Sequence, residues 1–322
     1  MQTNTKAFEE ENVMNALTEL TKEYLQYCHV RKGLSPKTLR AYRTDLEDFR
    51  RYMEKNNVDF LVSHHIGEYI DTLHCSKAPR TVKRKIASIQ AFYQYLVYTD
   101  KIAENPLKKL DLSFKLPRRL PRYIPNHIMN AFYQELYSQK NQTATLYQLK
   151  CATRNIAVIE LLFATGLRIS ELCGLKKESV NLYEQEIYVH GKGNKERIIQ
   201  LTEEITINAL HEYSVLFEKE LKKSEYFFLN KYGHPLSAQS VRNMINQLAD
   251  AASITMHITP HMFRHSFATC LVNQDVDIRC IQEILGHSSI RTTEIYTHVN
   301  MAKQKSVLTE KNPRKSLDIS IT

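Results

Sequence analysis

Glycine is scarce in this sequence, and its cysteines form no recognisable pairs. Only eight of the 322 residues are glycine, against an average usage of about 7%. A chain with so little glycine is expected to be rich in helix, and each glycine should mark a position where the backbone needs it. The six cysteines are scattered without a Cys-x-x-Cys pair, which argues against a zinc ribbon or a disulfide scaffold and favours a reducing cytosol.

Long apolar runs are also missing from the sequence. The most apolar stretch, residues 156–167, is interrupted by Glu160 and is too short to cross a bilayer. Residues 1–13 are polar and rather acidic, so we expect no signal peptide. These features predict a cytoplasmic protein without a transmembrane segment.

Apolar side chains are frequent enough to build a globular core, and basic side chains outnumber acidic ones. Hydrophobic residues make up 43% of the chain and charged residues 25%, and a chain of this length is expected to form about two domains. The net charge is +9 and the pI is about 9.1. This surplus favours a polyanionic partner, a nucleic acid or an anionic membrane surface. A solvated basic surface would give the same net charge and pI, so charge alone does not show whether the protein has a polyanionic partner.

Residues 14–103 predict four helices that form a small bundle. Apolar side chains recur at helical spacing in each of four stretches. Ser35 is the expected N-cap of the second helix and Pro36 its first residue. Behind them one helix face is marked by apolar residues three and four positions apart, Leu39, Tyr42, Leu46, Phe49 and Met53.

Two of these helices have basic polar faces. Lysine and arginine supply the phosphate contacts that dominate binding to a nucleic acid, although most charge runs are solvated surface. On the second helix Asp45, Glu47 and Asp48 dilute the positive charge, whereas no acid interrupts the basic run of the fourth helix. The candidate DNA contacts on the two faces are Lys37, Arg40, Arg43, Arg80, Lys83, Arg84 and Lys85.

A proline-rich segment separates the bundle from the rest of the chain. Four of the nine prolines lie between residues 106 and 125, and prolines stiffen a segment and end helices. Arg118 and Arg119 lie in this segment and are further candidate DNA contacts. We therefore expect a first domain over residues 1–111, a linker over residues 112–125 and a second domain over residues 126–322.

The second domain is predicted to be mostly helical, with one β-hairpin. Residues 186–190 and 197–201 are short β-prone runs on either side of a loop that contains two glycines. Residues 205–301 have a helical character, and residues 302–322 form a polar tail. The expected fold class is mainly α, with the hairpin as its small β component.

Two segments of the second domain place a cation beside a glycine. Gly166 is a suitable helix end, so Arg168 would begin a new helix with Glu171 one turn later. The two residues form either an ordinary surface pair or an arginine that Glu171 holds so that its fork meets a phosphate. Lys192, at the tip of the hairpin, is either a solvated turn lysine or a donor of charge or a proton to a reacting phosphate.

Three further segments contain groups that can transfer protons or bind anions. Thr259 is the expected N-cap of a helix whose first turn carries His261 and Arg264, and a helix N-terminus favours an anion. His287 follows a glycine that is predicted to end another helix, and Tyr296 lies nine residues later. Each has an ordinary structural explanation when it is taken alone: a surface pair, a turn histidine and a core tyrosine.

Together these segments resemble the tyrosine recombinase (integrase) family. The family's catalytic set is similar to a set found here in the same order: Arg168, Lys192, His261, Arg264, His287 and Tyr296. The surrounding motifs TGLRISEL, GKGNKER, TPHMFRH, LGHSS and TTEIYTHV are most similar to Xer-type recombinases and simple mobile-element integrases. The resemblance covers nearly the whole chain, and the N-terminal bundle is similar to the family's SAM-like core-binding domain.

Small departures from the family pattern indicate which kind of family member the chain resembles. Some other members have Trp at the position of His287, where His is also an accepted form, and Xer-type proteins often have His where this chain has Cys270. The predicted bundle starts near Met14, which leaves no room for the N-terminal arm-binding domain of phage-lambda-like integrases. A directional, arm-dependent integrase is therefore disfavoured.

The resemblance implies roles for the phosphate-binding residues. Arg168 and Arg264 would hydrogen-bond the non-bridging oxygens of a DNA phosphate, and His287 would add a further bond. Glu171 would orient the arginine one turn before it and balance the local charge. These contacts would stabilise the charge of the pentacoordinate transition state.

The resemblance also implies how protons move. Tyr296 would attack the phosphorus and lose its proton to His261, while Lys192 would protonate the leaving 5′-oxygen. The product would be a 3′-phosphotyrosine, so neither a metal nor ATP nor any other cofactor is expected.

The implied partner is a double-stranded DNA recombination site and not a membrane. A homo-tetramer on two sites, or a hetero-tetramer with a related recombinase, would exchange strands through a Holliday junction, and residues 302–322 would dock on a neighbouring protomer. The cellular role would be chromosome dimer resolution or the integration and excision of a mobile element. The alternatives are a type IB topoisomerase-like nicking-closing enzyme and a catalytically silent DNA-binding regulator.

Overall fold

The computed structural model describes residues 2–114, 122–191 and 196–286, with side chains described from residue 15 onward. The chain divides into two compact units, residues 1–118 and 119–322. Both are mainly helical, and the second contains a small antiparallel sheet. The predicted fold class is therefore confirmed. None of the helices in the described part is both long and apolar enough to span a membrane.

The first unit is the predicted four-helix bundle. Ser35 Oγ accepts a hydrogen bond from the Thr38 amide at 3.2 Å, so this residue is the expected N-cap. Leu46, Phe49 and Met53 are buried, as their spacing predicted. The helices are α1 (Gln2–Val30), α2 (Pro36–Asn56), α3 (Ser63–Ser76) and α4 (Pro79–Tyr98), and a 3₁₀ turn follows at Pro106–Lys109.

A buried charge cluster joins α2 to α4 and corrects one predicted DNA contact. Asp45 is completely buried and Lys85 is only 4% exposed. The Lys85 ammonium donates to Asp45 at 3.2 Å and to Asp48 at 2.7 Å, and Ser88 Oγ donates to Asp45 at 2.8 Å. A buried ammonium needs such carboxylate partners. Because these two carboxylates neutralise the buried ammonium between the helices, Lys85 is a structural charge and not an exposed phosphate contact, and the prediction for this residue is wrong.

The second unit is built around a buried helix. Residues 156–162 of α6 (Leu146–Thr165) are all buried, and Ile156, Val158, Ile159 and Leu161 are each at most 3% exposed. The helix packs against α5, α8 and α11, which is the expected environment of a stretch that is buried on every side. The helices of this unit are α5 (Asn126–Asn141), α6 (Leu146–Thr165), α7 (Ile169–Cys173), α8 (Glu204–Leu216), α9 (Glu218–Leu221), α10 (Ala238–Ala251), α11 (Pro260–Asn273) and α12 (Ile278–Leu285).

The predicted hairpin is present and belongs to a three-stranded antiparallel sheet. The strands are β1 (Val180–Asn181), β2 (Glu186–His190) and β3 (Glu196–Gln200), in the order β1-β2-β3. Ile187 pairs with Ile199 and Val189 pairs with Arg197. The two-residue strand β1 was not predicted, because so short a run has no readable alternation.

Residues 222–237 are not helical, although we predicted a helical character for this region. The backbone forms isolated bridges between Lys176 and Tyr226 and between Leu229 and Pro235. The buried Tyr213 hydroxyl donates to the Phe227 carbonyl at 2.9 Å. Pairing with distant backbone outweighs helix formation here, and the proline within the segment disfavours a helix.

Gly166 directs the chain from α6 into α7. Its φ of +60° ends α6, as predicted, and a Cβ here would lie 2.6 Å from Phe267 on α11. Glycine is therefore required both by the left-handed backbone and by the close approach of α11. This turn places Arg168 at the N-cap of α7, and the Gly166 carbonyl accepts from Arg264 of α11.

Candidate active site

Three arginines from different elements converge on the C-terminal end of α12. Arg264 of α11 donates to the Leu285 carbonyl at 2.7 Å, and Arg197 of β3 donates to the Ile284 carbonyl at 2.9 Å. Arg168 donates to the Gly286 carbonyl at 3.2 Å. The last carbonyls of a helix lack partners within the helix and carry partial negative charge, so cations are favoured there. Gly286 ends α12 with a φ of +62°, as the sequence predicted.

Glu171 links two of these arginines. Its carboxylate accepts from the backbone amide of Arg168 at 2.9 Å and from the side chain of Arg168 at 2.7 Å. It also accepts two hydrogen bonds from Arg197, at 3.2 and 2.9 Å. The predicted pairing of Arg168 with Glu171 is thus present.

The arginines keep this buried carboxylate ionised. The Glu171 side chain is only 5% exposed, and burial alone would raise its pKa. The hydrogen bonds from Arg197 and Arg168 outweigh burial and lower the pKa below its usual value. Glu171 is therefore charged at neutral pH and balances part of the arginine charge.

The first turn of α11 carries the predicted His-x-x-Arg pair. Arg264 is 4% exposed, and its guanidinium also donates to the Gly166 carbonyl at 2.7 Å. His261, one turn earlier, is exposed. Thr259 has the extended backbone of an N-cap, but its side chain makes no capping hydrogen bond within the described chain. The pair thus combines an anchored cation with an imidazole open to solvent.

His265 differs from His261 in its environment. Burial lowers its pKa to about 4, and the neighbouring His261 and Arg264 act in the same direction. The imidazole is therefore neutral at physiological pH. The His265 side chain is partly buried, whereas that of His261 is exposed.

Several predicted site residues lie outside the described residues. They are Lys192, His287 and Tyr296 of the expected catalytic set, Arg118 and Arg119 of the expected DNA contacts, and the tail at residues 302–322. Two of these residues are close in sequence to described residues of the site. Arg197 lies on the strand that follows the hairpin tip, and Gly286 directly precedes His287.

The remaining DNA-contact candidates are exposed on the first unit. Lys37, Arg40 and Arg43 are exposed on α2, and Arg80 and Lys83 are exposed on α4. The side chain of Arg84 is 46% exposed while its guanidinium hydrogen-bonds the buried Asp45. In the part of the chain that the structure describes, no group of three or more His, Cys, Asp or Glu side chains is placed to hold a metal ion.

Arg197 is the residue of this site that we did not predict. Its side chain is 12% exposed and contacts both Glu171 and α12. A signal was present in the sequence, because alternate residues of a strand share a face. Ile199 and Leu201 are buried, so an arginine two positions before Ile199 points inward and needs partners.

Two family profiles match the sequence. Residues 134–303 match the Phage integrase family, and residues 21–99 match the phage integrase N-terminal SAM-like domain. The catalytic match covers more than half of the chain, and the SAM-like match falls on the helical bundle.

Curated relatives match over almost their full length. A tyrosine recombinase of Agathobacter rectalis is 47% identical over 302 residues, which cover 94% of this chain and 99% of the relative. XerD of Staphylococcus aureus is 35% identical, with 92% and 99% of the two chains covered. XerC of Lacticaseibacillus casei is 33% identical, with 88% and 95% covered.

Solved structures share the fold. The XerH site-specific recombinase in a post-cleavage complex with its palindromic difH substrate has a TM-score of 0.73 and 23% identity, covering 95% of this chain and 89% of that one. The Tn1549 transposon integrase in complex with a circular-intermediate DNA has a TM-score of 0.62 and 19% identity, covering 90% and 98%.

Proposed function

Since this chain belongs to the phage integrase family of tyrosine recombinases, we propose that it cuts and rejoins DNA at a specific site through a 3′-phosphotyrosine intermediate. One observation carries the proposal. Arg168 and Arg264 are held on the neighbouring carbonyls of Gly286 and Leu285. Two guanidiniums bound to consecutive carbonyls would be placed to bind a single phosphate.

The arginines would supply the electrostatic part of the reaction. A phosphodiester repels nucleophiles because it is negatively charged, and charge accumulates on its oxygens as a fifth ligand approaches. Arg168 and Arg264 would hydrogen-bond these oxygens, and His287 would add a third donor. Because Glu171 and the α12 carbonyls hold the arginines beforehand, little reorganisation would be needed during the reaction.

Proton transfer would be divided between two groups. The phenol of Tyr296, with an ordinary pKa near 10, would attack the phosphorus while His261 takes its proton. The bond to the 5′-oxygen would break, and Lys192 would protonate that oxygen. The phosphoryl group is then on the tyrosine and a 5′-hydroxyl is free. Attack by a 5′-hydroxyl from another strand would reverse the step, without metal or ATP.

The two units would divide the work on DNA. Residues 1–111 would contact the phosphate backbone through the exposed cations of α2 and α4. Residues 126–322 would carry out the chemistry, and residues 112–125 would connect the two domains. Four protomers on two sites would exchange strands through a Holliday junction, either as a homo-tetramer or together with a related recombinase. We propose a cytoplasmic location and either chromosome dimer resolution or mobile-element movement as the role.

A covalent-adduct assay tests this function. The purified protein is mixed, without metal or ATP, with nicked duplexes tiled across the DNA flanking its gene and across the chromosome terminus. Adducts are trapped in detergent and compared with those of Tyr296→Phe. We expect an adduct with one fragment that is lost in the variant. A terminus fragment would indicate dimer resolution and a flanking fragment a mobile element. DNA binding without any adduct would contradict the proposal.

A further inference from the structure

We propose that Arg197 is a positioning residue that fixes Arg168, through Glu171, and the end of α12 in the arrangement needed for DNA cleavage. The inference rests on the proposed function and adds a residue to its machinery. Arg197 lies on β3, five positions after Lys192 in the sequence. Its contacts reach two other elements, α7 and α12.

Each nitrogen of the Arg197 guanidinium has a defined partner. Nη1 and Nη2 donate to the two oxygens of Glu171 at 3.2 and 2.9 Å, and Nε donates to the Ile284 carbonyl at 2.9 Å. The rigid fork of arginine allows these three bonds at once, whereas the single ammonium of lysine does not present such a fork. The geometry is therefore specific for arginine.

Glu171 depends on this fork. Its carboxylate is 5% exposed and is shared between Arg168 and Arg197, which are the charged groups that face it in the described structure. A buried carboxylate that loses one cation becomes easier to protonate. A protonated Glu171 would hold Arg168 less firmly, so the effect of Arg197 passes to the phosphate site through Glu171.

The end of α12 also rests on Arg197. A Cβ at Gly286 would lie 2.9 Å from Nη1 and 3.2 Å from Cδ of Arg197. Together with the hydrogen bond to Ile284, this contact fixes the backbone that leads directly to His287. One side chain thus determines where Arg168 lies and where the chain leaves α12.

The exposure of the two arginines separates their roles. The Arg197 side chain is 12% exposed and that of Arg168 is 32% exposed. The charge of Arg197 is directed at the Glu171 carboxylate, whereas Arg168 presents more of its surface to the site. Because Glu171 and the Ile284 carbonyl engage all three nitrogens of its guanidinium, and Glu171 balances its charge, Arg197 acts on the reaction through Glu171 and α12 without touching the DNA.

The variants Arg197→Gln, Arg197→Lys and Arg197→Ala test this assignment in the full-length protein. Single-turnover adduct formation is measured on the cleaved fragment, together with DNA affinity and thermal midpoint, and Lys219→Gln, which removes an exposed cation of α9, is the control. We expect Gln and Lys to slow adduct formation roughly 10- to 100-fold, the scale of a small misplacement of catalytic groups, with DNA affinity unchanged. Normal cleavage in a folded Arg197→Gln protein would overturn the assignment.

Two further measurements separate positioning from loss of folding. Methylguanidinium at a non-denaturing concentration should partly restore adduct formation to Arg197→Ala but not to Tyr296→Phe. Cleavage by Arg197→Gln should also decline on acidification from pH 7.5 to 5.5 more steeply than cleavage by the wild type, because Glu171 then protonates more readily. The absence of both effects would mean that Arg197 has only a structural role.

A final measurement does not depend on activity. The Glu171 carboxyl carbon is titrated by NMR, with Glu171→Gln used to assign its signal. We expect a higher Glu171 pKa in Arg197→Gln than in the wild type, and an unchanged pKa would overturn the link. Failure of the wild type to form adducts would refute the proposed function. This titration would still test whether Arg197 lowers the pKa of Glu171.

Discussion

Buried charges in this protein are stabilised by the groups that surround them. Arg264 is buried against backbone carbonyls, Glu171 against two arginines, and Asp45 against Lys85. In each case the charge is retained because a partner of opposite polarity compensates the lost hydration. Removing one partner should therefore affect stability, chemistry or both, according to where the remaining charge lies.

Asp45→Asn should destabilise the first unit. Lys85 and Arg84 would lose a shared carboxylate, and Asp48 would remain as the partner of Lys85. We expect a loss of about 3 kcal/mol, at the low end of the range for breaking a buried pair because one carboxylate remains. Chemical denaturation checks this, with the exposed Asp71→Asn as a control of the same charge change. Equal stability of the two variants would contradict the buried network.

His265 should make stability dependent on pH. The pKa of His265 in the folded protein, about 4, lies below the ordinary value of 6.5. Between about pH 6.5 and pH 4 the unfolded chain therefore binds a proton at His265 that the folded protein does not bind. Stability should therefore fall as the pH decreases from 6.5 towards 4. Denaturation midpoints between pH 7.5 and 5 should depend less on pH in His265→Gln than in the wild type. The exposed His257→Gln should retain the wild-type dependence, and identical slopes for all three proteins would contradict the burial of His265.

At the level of helices and strands, glycines and helix ends shape the site. Gly166 and Gly286 end α6 and α12 with positive φ angles, and both were predicted as helix ends from the sequence. The carbonyls at the end of α12 then hold three arginines from α7, β3 and α11. The site is thus assembled by the terminus of a short helix, which local propensity alone would not stabilise.

Gly286→Ala should destabilise the protein by more than the strain of a positive φ alone. Gly33 has nearly the same φ, +58° against +62°, but nothing lies within 4 Å of a Cβ placed there. Gly33→Ala therefore reports the cost of the left-handed backbone by itself, about 1–2 kcal/mol, while Gly286→Ala adds the clash with Arg197. Thermal midpoints and adduct rates of both variants test this. Equal losses in the two variants would argue against the close contact at Gly286.

Most elements could be predicted because their periodicity is local. The spacing of Leu46, Phe49 and Met53 gave the buried face of α2, and the paired β-prone runs gave the hairpin. The burial of Lys85 was missed although it lies three positions after Val82 and four before Ile89, on the apolar face of α4. Asp45 lies equally on the core face of α2, between Tyr42 and Phe49. Opposite charges at core positions of two helices were the available signal.

The rest of the site could not be predicted because it depends on distant contacts. Nothing in the sequence shows that β3 lies against α12, so the partners of Arg197 were not predictable. The non-helical segment at residues 222–237 depends on bridges to Lys176 and on a hydrogen bond from Tyr213. Such pairings are chosen by tertiary structure and outweigh local propensity.

For the whole molecule, the net charge of +9 fits the DNA partner expected of this family. Exposed cations occur on α2 and α4 of the first unit, and anchored cations surround the end of α12 in the second. Contacts to phosphate release counterions, so affinity should fall steeply with salt concentration. The exposed cations would then set affinity, whereas Arg168 and Arg264 would act on the reacting phosphate and Arg197 would position Arg168.

Lys83→Gln should weaken DNA binding and its dependence on salt. Lys83 is exposed on α4, and loss of one phosphate contact lowers the slope of log K against log salt by about 1. The matched control is Lys101→Gln in the same unit, since Lys101 is paired with Glu23 at 3.1 Å. Binding titrations at several salt concentrations compare the two variants. An unchanged slope in Lys83→Gln would remove this residue from the DNA contacts.

The most direct measurement of the proposed chemistry is the identification of the linkage in the trapped adduct. The adduct is digested with protease and nuclease, and mass spectrometry locates the modified residue and the DNA end. We expect a 3′-phosphate on Tyr296, a free 5′-hydroxyl on the other fragment, and the same yield in EDTA. A linkage through another residue, a 5′-phosphotyrosine, or cleavage that requires a divalent metal would contradict the mechanism.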